Sequence, residues 1–187
     1  FPNDTSQGES TDANAVTSFT SDGYVFGSSG SFNYSTNTYV NWCWKGAGSG
    51  SSNSDGSVTS TVSADTTSGF SVVKWTGTNA NATIGHGLGV APKFIIIRRL
   101  AASSTVVYHE SLGNTKRLVL DGTGTPSTGS TFFNDTSPTT TTFSVGTDGG
   151  SNGSTDDYIA YCFAEKTGYC KIGKYNGNGN NDGTFQY

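Results

Sequence analysis

The chain has 187 residues and a formal net charge of -4, and Thr (28), Ser (26), Gly (26) and Asn (15) make up just over half of it. Leu occurs five times and Met never, which excludes a helical bundle and favours strands and turns. Leu, Ile, Val and Phe are scarce enough to raise disorder, but the low net charge and 23 aromatic residues point instead to a folded all-β chain.

In chain order, short β-rich segments are expected at 24–26, 38–44, 70–75, 93–98, 105–109, 117–120, 141–145, 158–163 and 169–175, with a further short strand near 58–63. Asp-Gly occurs five times, at Asp22, Asp55, Asp121, Asp148 and Asp182, and this dipeptide supplies the positive φ angles that tight hairpins need. Phe94-Ile95-Ile96-Ile97 is apolar without alternation, so a central strand covered on both faces is expected there. Many short strands with almost no helical period indicate a β-sandwich or jelly roll.

The chain also resembles itself. Tyr39-Val40-Asn41-Trp42-Cys43-Trp44 aligns with Tyr158-Ile159-Ala160-Tyr161-Cys162-Phe163 at an offset of 119, and Gly27 falls on Gly146 at the same offset. Gly69-Phe70-Ser71-Val72-Val73-Lys74-Trp75 returns as Gly168-Tyr169-Cys170-Lys171-Ile172, with Lys174-Tyr175 one residue late. Tandem units of about 100 residues are the reading this supports. Residues 1–45 are the C-terminal half of one unit, 67–167 a complete unit and 168–187 the start of another. Residues 46–66 are then a flexible Gly/Ser-rich insertion with a short strand. The alternative is that the whole packs as one sandwich. Alternation places Val40, Trp42, Trp44, Ile159, Tyr161 and Phe163 on the core face, with Tyr39, Asn41 and Cys43 on a more polar one.

Four ordered blocks carry a family resemblance: Gly69 to Gly77, Gly85-His86-Gly87-Leu88-Gly89 continuing to Arg99, Tyr108 to Lys116, and Tyr158 to Phe163. Together they resemble a tandem-repeat domain of unknown function found in large structural, tail-fibre-like proteins of marine and cyanobacterial tailed phages. The resemblance implies a non-enzymatic virion structural protein, a tail-fibre or surface-fibre segment engaged in assembly and host attachment. It brings no catalytic residues with it. Its partners are copies of itself or other virion proteins, together with a host surface glycan where the fibre reads one. Localisation to the virion follows, or otherwise an extracellular one. The alternatives are a carbohydrate-binding adhesion module and a subunit of a secreted surface polymer. Relatives continue past both ends of this sequence, so a fragment of a longer chain is expected.

The residues themselves add little chemistry. No run approaches the length of a membrane span, and the opening Phe1-Pro2-Asn3-Asp4 lacks the charged start of a signal peptide. Half of the ten Lys and Arg lie between Lys93 and Arg117, too local for a phosphate-binding stripe, so neither nucleic acid nor membrane is an expected partner. His86 reads as a loop histidine bonded to its own backbone, and His109 and Glu110 as strand neighbours aimed apart. A glycosidase needs two carboxylates across a cleft, yet only Glu9, Glu110 and Glu165 occur. No cofactor or metal is expected, and the Asn-rich run at 176–183 reads as a plain turn rather than a calcium loop. Cys43, Cys162 and Cys170 read as small packing residues, a Cys162–Cys170 bridge remaining open. Sequons at Asn3, Asn33, Asn81, Asn134 and Asn152 match chance expectation. Trp75, Tyr34, Tyr108 and Tyr175 are the candidates for stacking on sugars, set against plain packing. Incomplete units expose strand edges, so residues 1–45 and 168–187 are expected to pack on each other or to borrow strands from a neighbouring chain.

Overall fold

The computed structural model describes residues 6–120 and 122–184, so the expectations for Asn3 and the Asp121 turn lie outside the described residues. The chain divides into two compact units, one of residues 6–8 with 45–184, the other Glu9–Trp44. Both are built from antiparallel strands, and the fold is all-β with a sandwich-like character.

The smaller unit is a bulged hairpin of β1 (Val16–Phe19) and β2 (Tyr24–Phe26). Its turn carries Asp22-Gly23, as expected, with the Thr20 N–H donating to the Gly23 carbonyl at 2.8 Å. Phe26 packs edge-on against Tyr24 at 5.0 Å and stacks on Phe32 at 6.2 Å. Residues 38–44, by contrast, form no strand. Val40, Trp42 and Trp44 are 84%, 81% and 48% exposed, so their assignment to the core is corrected. A strand is stable only beside others, and none is paired with this segment.

The larger unit adds β3 (Ser51–Asn53), β4 (Ser60–Asp65), β5 (Phe70–Thr76), β6 (Ala82–Gly85), β7 (Phe94–Arg99), β8 (Val106–His109), β9 (Lys116–Val119), β10 (Ser127–Thr128), β11 (Thr142–Val145) and β12 (Asp157–Phe163). Two one-turn helices, α1 (Ser130–Phe133) and α2 (Gly149–Asn152), flank β11. Eight strands form one sheet in the order β10-β9-β8-β7-β12-β5-β4-β3, and β11 pairs with β6 in a second, small sheet. The insertion at 46–66 carries a strand, β4, where a short one is expected near 58–63, and a second, β3, before it. Its strands β3 and β4 extend the main sheet, with Val62 opposite Val73. Residues 169–175 form no strand either, only a bridge between Lys166 and Cys170.

The core lies between the main sheet and the layer of β6, β11 and α1. Trp75, Val73, Ile95, Ile97, Val106 and Tyr158 meet Ile84, Phe143, Val145 and Phe133 there. β7 and β12 occupy the middle of the sheet, as expected for Phe94–Ile97. On β12 the core face is Tyr158, Ala160 and Cys162, all fully buried. Ile159, Tyr161 and Phe163 are half-buried on the opposite face, so the alternation is right and its direction reversed. Bulk explains the reversal. The second layer already contributes Phe132, Phe133 and Phe143 to the core, and at native packing density β12 supplies small residues such as Ala160 and Cys162 beside Tyr158.

Gly77, which follows β5, shows why glycine is needed at one crossing. Its N–H donates to the Asp156 carbonyl at 2.8 Å and its own carbonyl accepts from Thr155 at 3.0 Å. A Cβ there would run into the Gly153 carbonyl. Asp148-Gly149 is not a hairpin turn. Asp148 caps α2, its side chain accepting from the Gly150 N–H at 2.9 Å, the arrangement that favours Asp at helix starts.

Candidate functional site

The face of the main sheet turned away from the second layer carries an aromatic strip. Period-2 alternation brings Phe70 of β5, Tyr161 and Phe163 of β12 and Phe94 of β7 to this side, where the registers set Phe163 between Phe70 and Phe94. Ring centroids are 5.1 Å apart for Phe70 and Phe163, 5.6 Å for Phe94 and Phe163, and 6.5 Å for the parallel pair Phe70 and Tyr161. His109 closes the row edge-on to Phe94 at 6.0 Å. Phe70 is buried and the other rings half-buried. Burial pushes the Tyr161 hydroxyl pKa up, so the ring stays neutral and offers a flat face with one polar edge.

Charged groups frame the strip. Lys93 bridges two carboxylates, Glu110 at 3.0 Å and Glu165 at 3.1 Å, and Glu110 first, then Glu165, hold its ammonium above the usual range. The Ile172 N–H, ahead of Lys93, holds the Glu165 carboxyl below its usual range. Both glutamates thus share Lys93, and Glu165 also meets Lys171 at 3.6 Å. Lys74 and Asp157 pair at 3.2 Å on the same face. The arrangement can stack flat apolar groups and order them by surrounding charge.

The four proposed sugar-stacking residues do not converge. Trp75 is 2% exposed, stacked on Tyr158 at 5.4 Å and edge-on to Phe143 at 5.6 Å. Tyr108 is 4% exposed against Phe133 at 5.4 Å. Both are corrected to core residues, because Ser71, Val73 and Trp75, like Val106 and Tyr108, alternate onto the inner face. Tyr34 and Tyr175 are exposed. Of the strip that does assemble, Tyr161 and Phe163 belong to the set expected in the core.

His86 is fully buried after β6. The Leu88 N–H donates to its Nδ1 at 3.2 Å, which places the proton on Nε2, 3.2 Å from the Thr139 carbonyl. The ring thus bonds backbone of its own loop, at Leu88, and of a distant segment, at Thr139. Gly87, at φ +70°, lets the loop turn over Val62 and Ala64. Burial lowers the His86 pKa below 6.5, against weaker opposite pulls from the Thr139 carbonyl and Asp55. The unfolded chain therefore binds the proton more readily, and stability is full above about pH 6.5 and declines as pH falls below it. Melting temperature is expected to drop by a few degrees between pH 7 and pH 5, and His86→Gln should flatten that slope. An unchanged slope in the variant would place the titration elsewhere.

His109 does not act with Glu110. Its Nδ1 accepts from the Ser111 N–H at 3.1 Å, capping a 3-10 turn at Glu110–Leu112. Asn152 is fully buried and unavailable for glycosylation, whereas Asn33 and Asn81 are exposed. The Asn-rich run closes on itself, Asn178 Nδ2 donating to the Asp182 carbonyl at 2.9 Å and Thr184 to Asn176 at 2.6 Å. All three cysteines are free. Burial pushes the Cys162 thiol up to about 12, so it is inert as a nucleophile. Among the described residues no helix is long and apolar enough to cross a membrane.

Neither a curated protein nor a solved structure matches the chain. A family described as a domain of unknown function, DUF7483, matches residues 1–187. A chain matched over its whole length by one family belongs to it, and this all-β protein is a member of the DUF7483 family.

Proposed function

We propose that the chain is a non-enzymatic structural protein of a virion, a tail-fibre or surface-fibre segment that works in assembly and host attachment. The observation that carries this reading is the apolar surface of Glu9–Trp44. Of the twelve exposed large apolar side chains among the described residues, eight fall between Val16 and Trp44. Exposed apolar groups concentrated in one short unit favour a surface that other proteins cover. The four sequence blocks that resemble tail-fibre-like phage proteins supply the setting, and partners are then copies of itself or other virion proteins. Immunogold labelling of purified phage particles with an antibody to residues 45–184 is expected to decorate the tail or outer surface. Unlabelled particles from a lysate in which the antibody detects the protein would overturn the reading.

A glycan-binding role is favoured by one observation, the exposed rings of Tyr34 and Tyr175. Glycan-array binding lost in Tyr34→Ala or Tyr175→Ala would establish it.

A further inference from the structure

The pair β5 and β12 shows what two segments that lie outside the strands of this chain are shaped to do. β12 runs antiparallel to β5 with Phe163 opposite Phe70, Cys162 opposite Ser71, Tyr161 opposite Val72 and Ala160 opposite Val73. Residues 39–44 resemble β12 position by position, and residues 168–175 resemble β5. In the structure neither segment lies in a strand, and Tyr39, Val40, Trp42, Trp44, Tyr169 and Tyr175 are exposed. Each segment therefore carries the side chains of a central strand without the neighbour that β12 and β5 give each other.

We infer that residues 38–44 of one copy pair antiparallel with residues 169–175 of a second copy, joining chains head to tail. Transferring the β12–β5 register sets Trp44 opposite Tyr169, Cys43 opposite Cys170, Trp42 opposite Lys171 and Asn41 opposite Ile172. On one face two rings pack together and a lysine lies against an indole. On the other, Cys43 and Cys170 stand directly opposite each other, as Cys162 stands opposite Ser71 in the β12–β5 ladder. Asn41 stands where β12 has Ala160. A second layer covers Ala160, whereas the proposed ladder has none over Asn41, so the amide stays wet.

The Cys170 N–H and carbonyl now bond Lys166, at 2.9 and 3.0 Å. In the β12 register they turn to Cys43 instead, so the exchange conserves hydrogen bonds. The contact uses different surfaces on the two copies and so propagates beyond a dimer. Two strands of this length bury less than a standard stable interface, so association is weak and rises with concentration. None of this depends on the assignment to a virion.

The test is disulfide trapping. Directly opposed strand residues have Cα atoms about 5.5 Å apart, within disulfide range. Copper-phenanthroline takes two electrons from the two thiols, two protons are released, and one S–S bond forms. Oxidised protein is expected to give a ladder of dimer, trimer and higher species on a non-reducing gel, growing with protein concentration, with peptide mapping placing the link at Cys43–Cys170. Cys43→Ser or Cys170→Ser alone should lose that link, and a mixture of the two should give a dimer and no ladder. Asn41→Pro removes an N–H aimed at the partner strand and should cut the yield at least tenfold, circular dichroism confirming that it folds. A Cys43–Cys170 link confined to monomers at every concentration, links between like cysteines in equal yield, a ladder indifferent to Asn41→Pro, or no link at all would overturn the inference.

Discussion

Trp75→Ala is expected to cost about 3–5 kcal/mol of folding stability, the range for emptying an aromatic site in a core that relaxes only in part. Trp75 stands at 2% exposure where β5 crosses the second layer, its ring stacked on Tyr158 and met edge-on by Phe143. Removing it leaves both rings facing a void and forfeits dispersion contacts on two sides. The indole Nε1 is buried with no hydrogen-bond partner among the described residues. Trp75→Phe, which keeps most of the stack and deletes that orphaned donor, should therefore cost far less than the alanine variant. Urea unfolding measures both through the midpoint at constant slope. If Trp75→Ala kept its stability within about 1 kcal/mol and lost only glycan binding, the ring would be a ligand platform after all.

Trp75 is a stacking candidate only because it lies outside the core face that alternation assigns to 158–163, and that assignment takes the wrong face. A period of two says which residues share a face and nothing about which face meets the second layer. Along β12 the bulkier set, Ile159, Tyr161 and Phe163, looked like the core, and the layer opposite proved to supply its own bulk through Phe132, Phe133 and Phe143. The strand positions from 70 to 163 were legible because Val, Ile, Thr and aromatic residues are bounded by Gly and Asp there. β6 was not, since Ala82-Thr83-Ile84-Gly85 is short and half small residues, and it forms because β11 pairs with it. The segment 38–44 has a strand's composition and no strand's surroundings, which local sequence cannot report.

The aromatic strip was legible only as a list of rings. Its assembly depends on three strands far apart in sequence meeting in one register, Phe70 against Phe163 against Phe94. Asp148-Gly149 was read as a hairpin because the dipeptide suits one, yet the same Asp oxygen that favours a turn also caps α2. Asn152 drew notice only as a sequon. Nothing local distinguishes a wet Asn from one whose amide will be completely enclosed.

Asn152→Ala is the other substitution with a large expected effect, about 3 kcal/mol or more. The fully buried amide donates through Nδ2 to the Ala80 carbonyl at 2.7 Å, the Gly146 carbonyl at 3.0 Å and Thr78 Oγ1 at 3.2 Å. Its Oδ1 accepts from the Thr78 N–H at 3.1 Å. One side chain thus ties the loop leaving β5 to the turn after β11, joining the main sheet to its second layer. Alanine leaves the Gly146 carbonyl without this buried donor, takes the Thr78 N–H's acceptor and leaves the Ala80 carbonyl only the Thr78 hydroxyl, and an unsatisfied buried group costs about 1–3 kcal/mol on top of the lost packing. Asn152→Asp separates this hydrogen bonding from simple packing, since it keeps the shape and, when ionised, accepts only. The buried carboxylate then faces two carbonyl oxygens, which raises its folded-state pKa above the unfolded value of about 3.9. The penalty is full at neutral pH and is relieved as pH falls through the folded-state value. Asn152→Asp should therefore recover stability relative to the parent protein on mild acidification, while Asn152→Ala should not. Parallel pH profiles for the two variants would show that Asn152 acts by filling space alone.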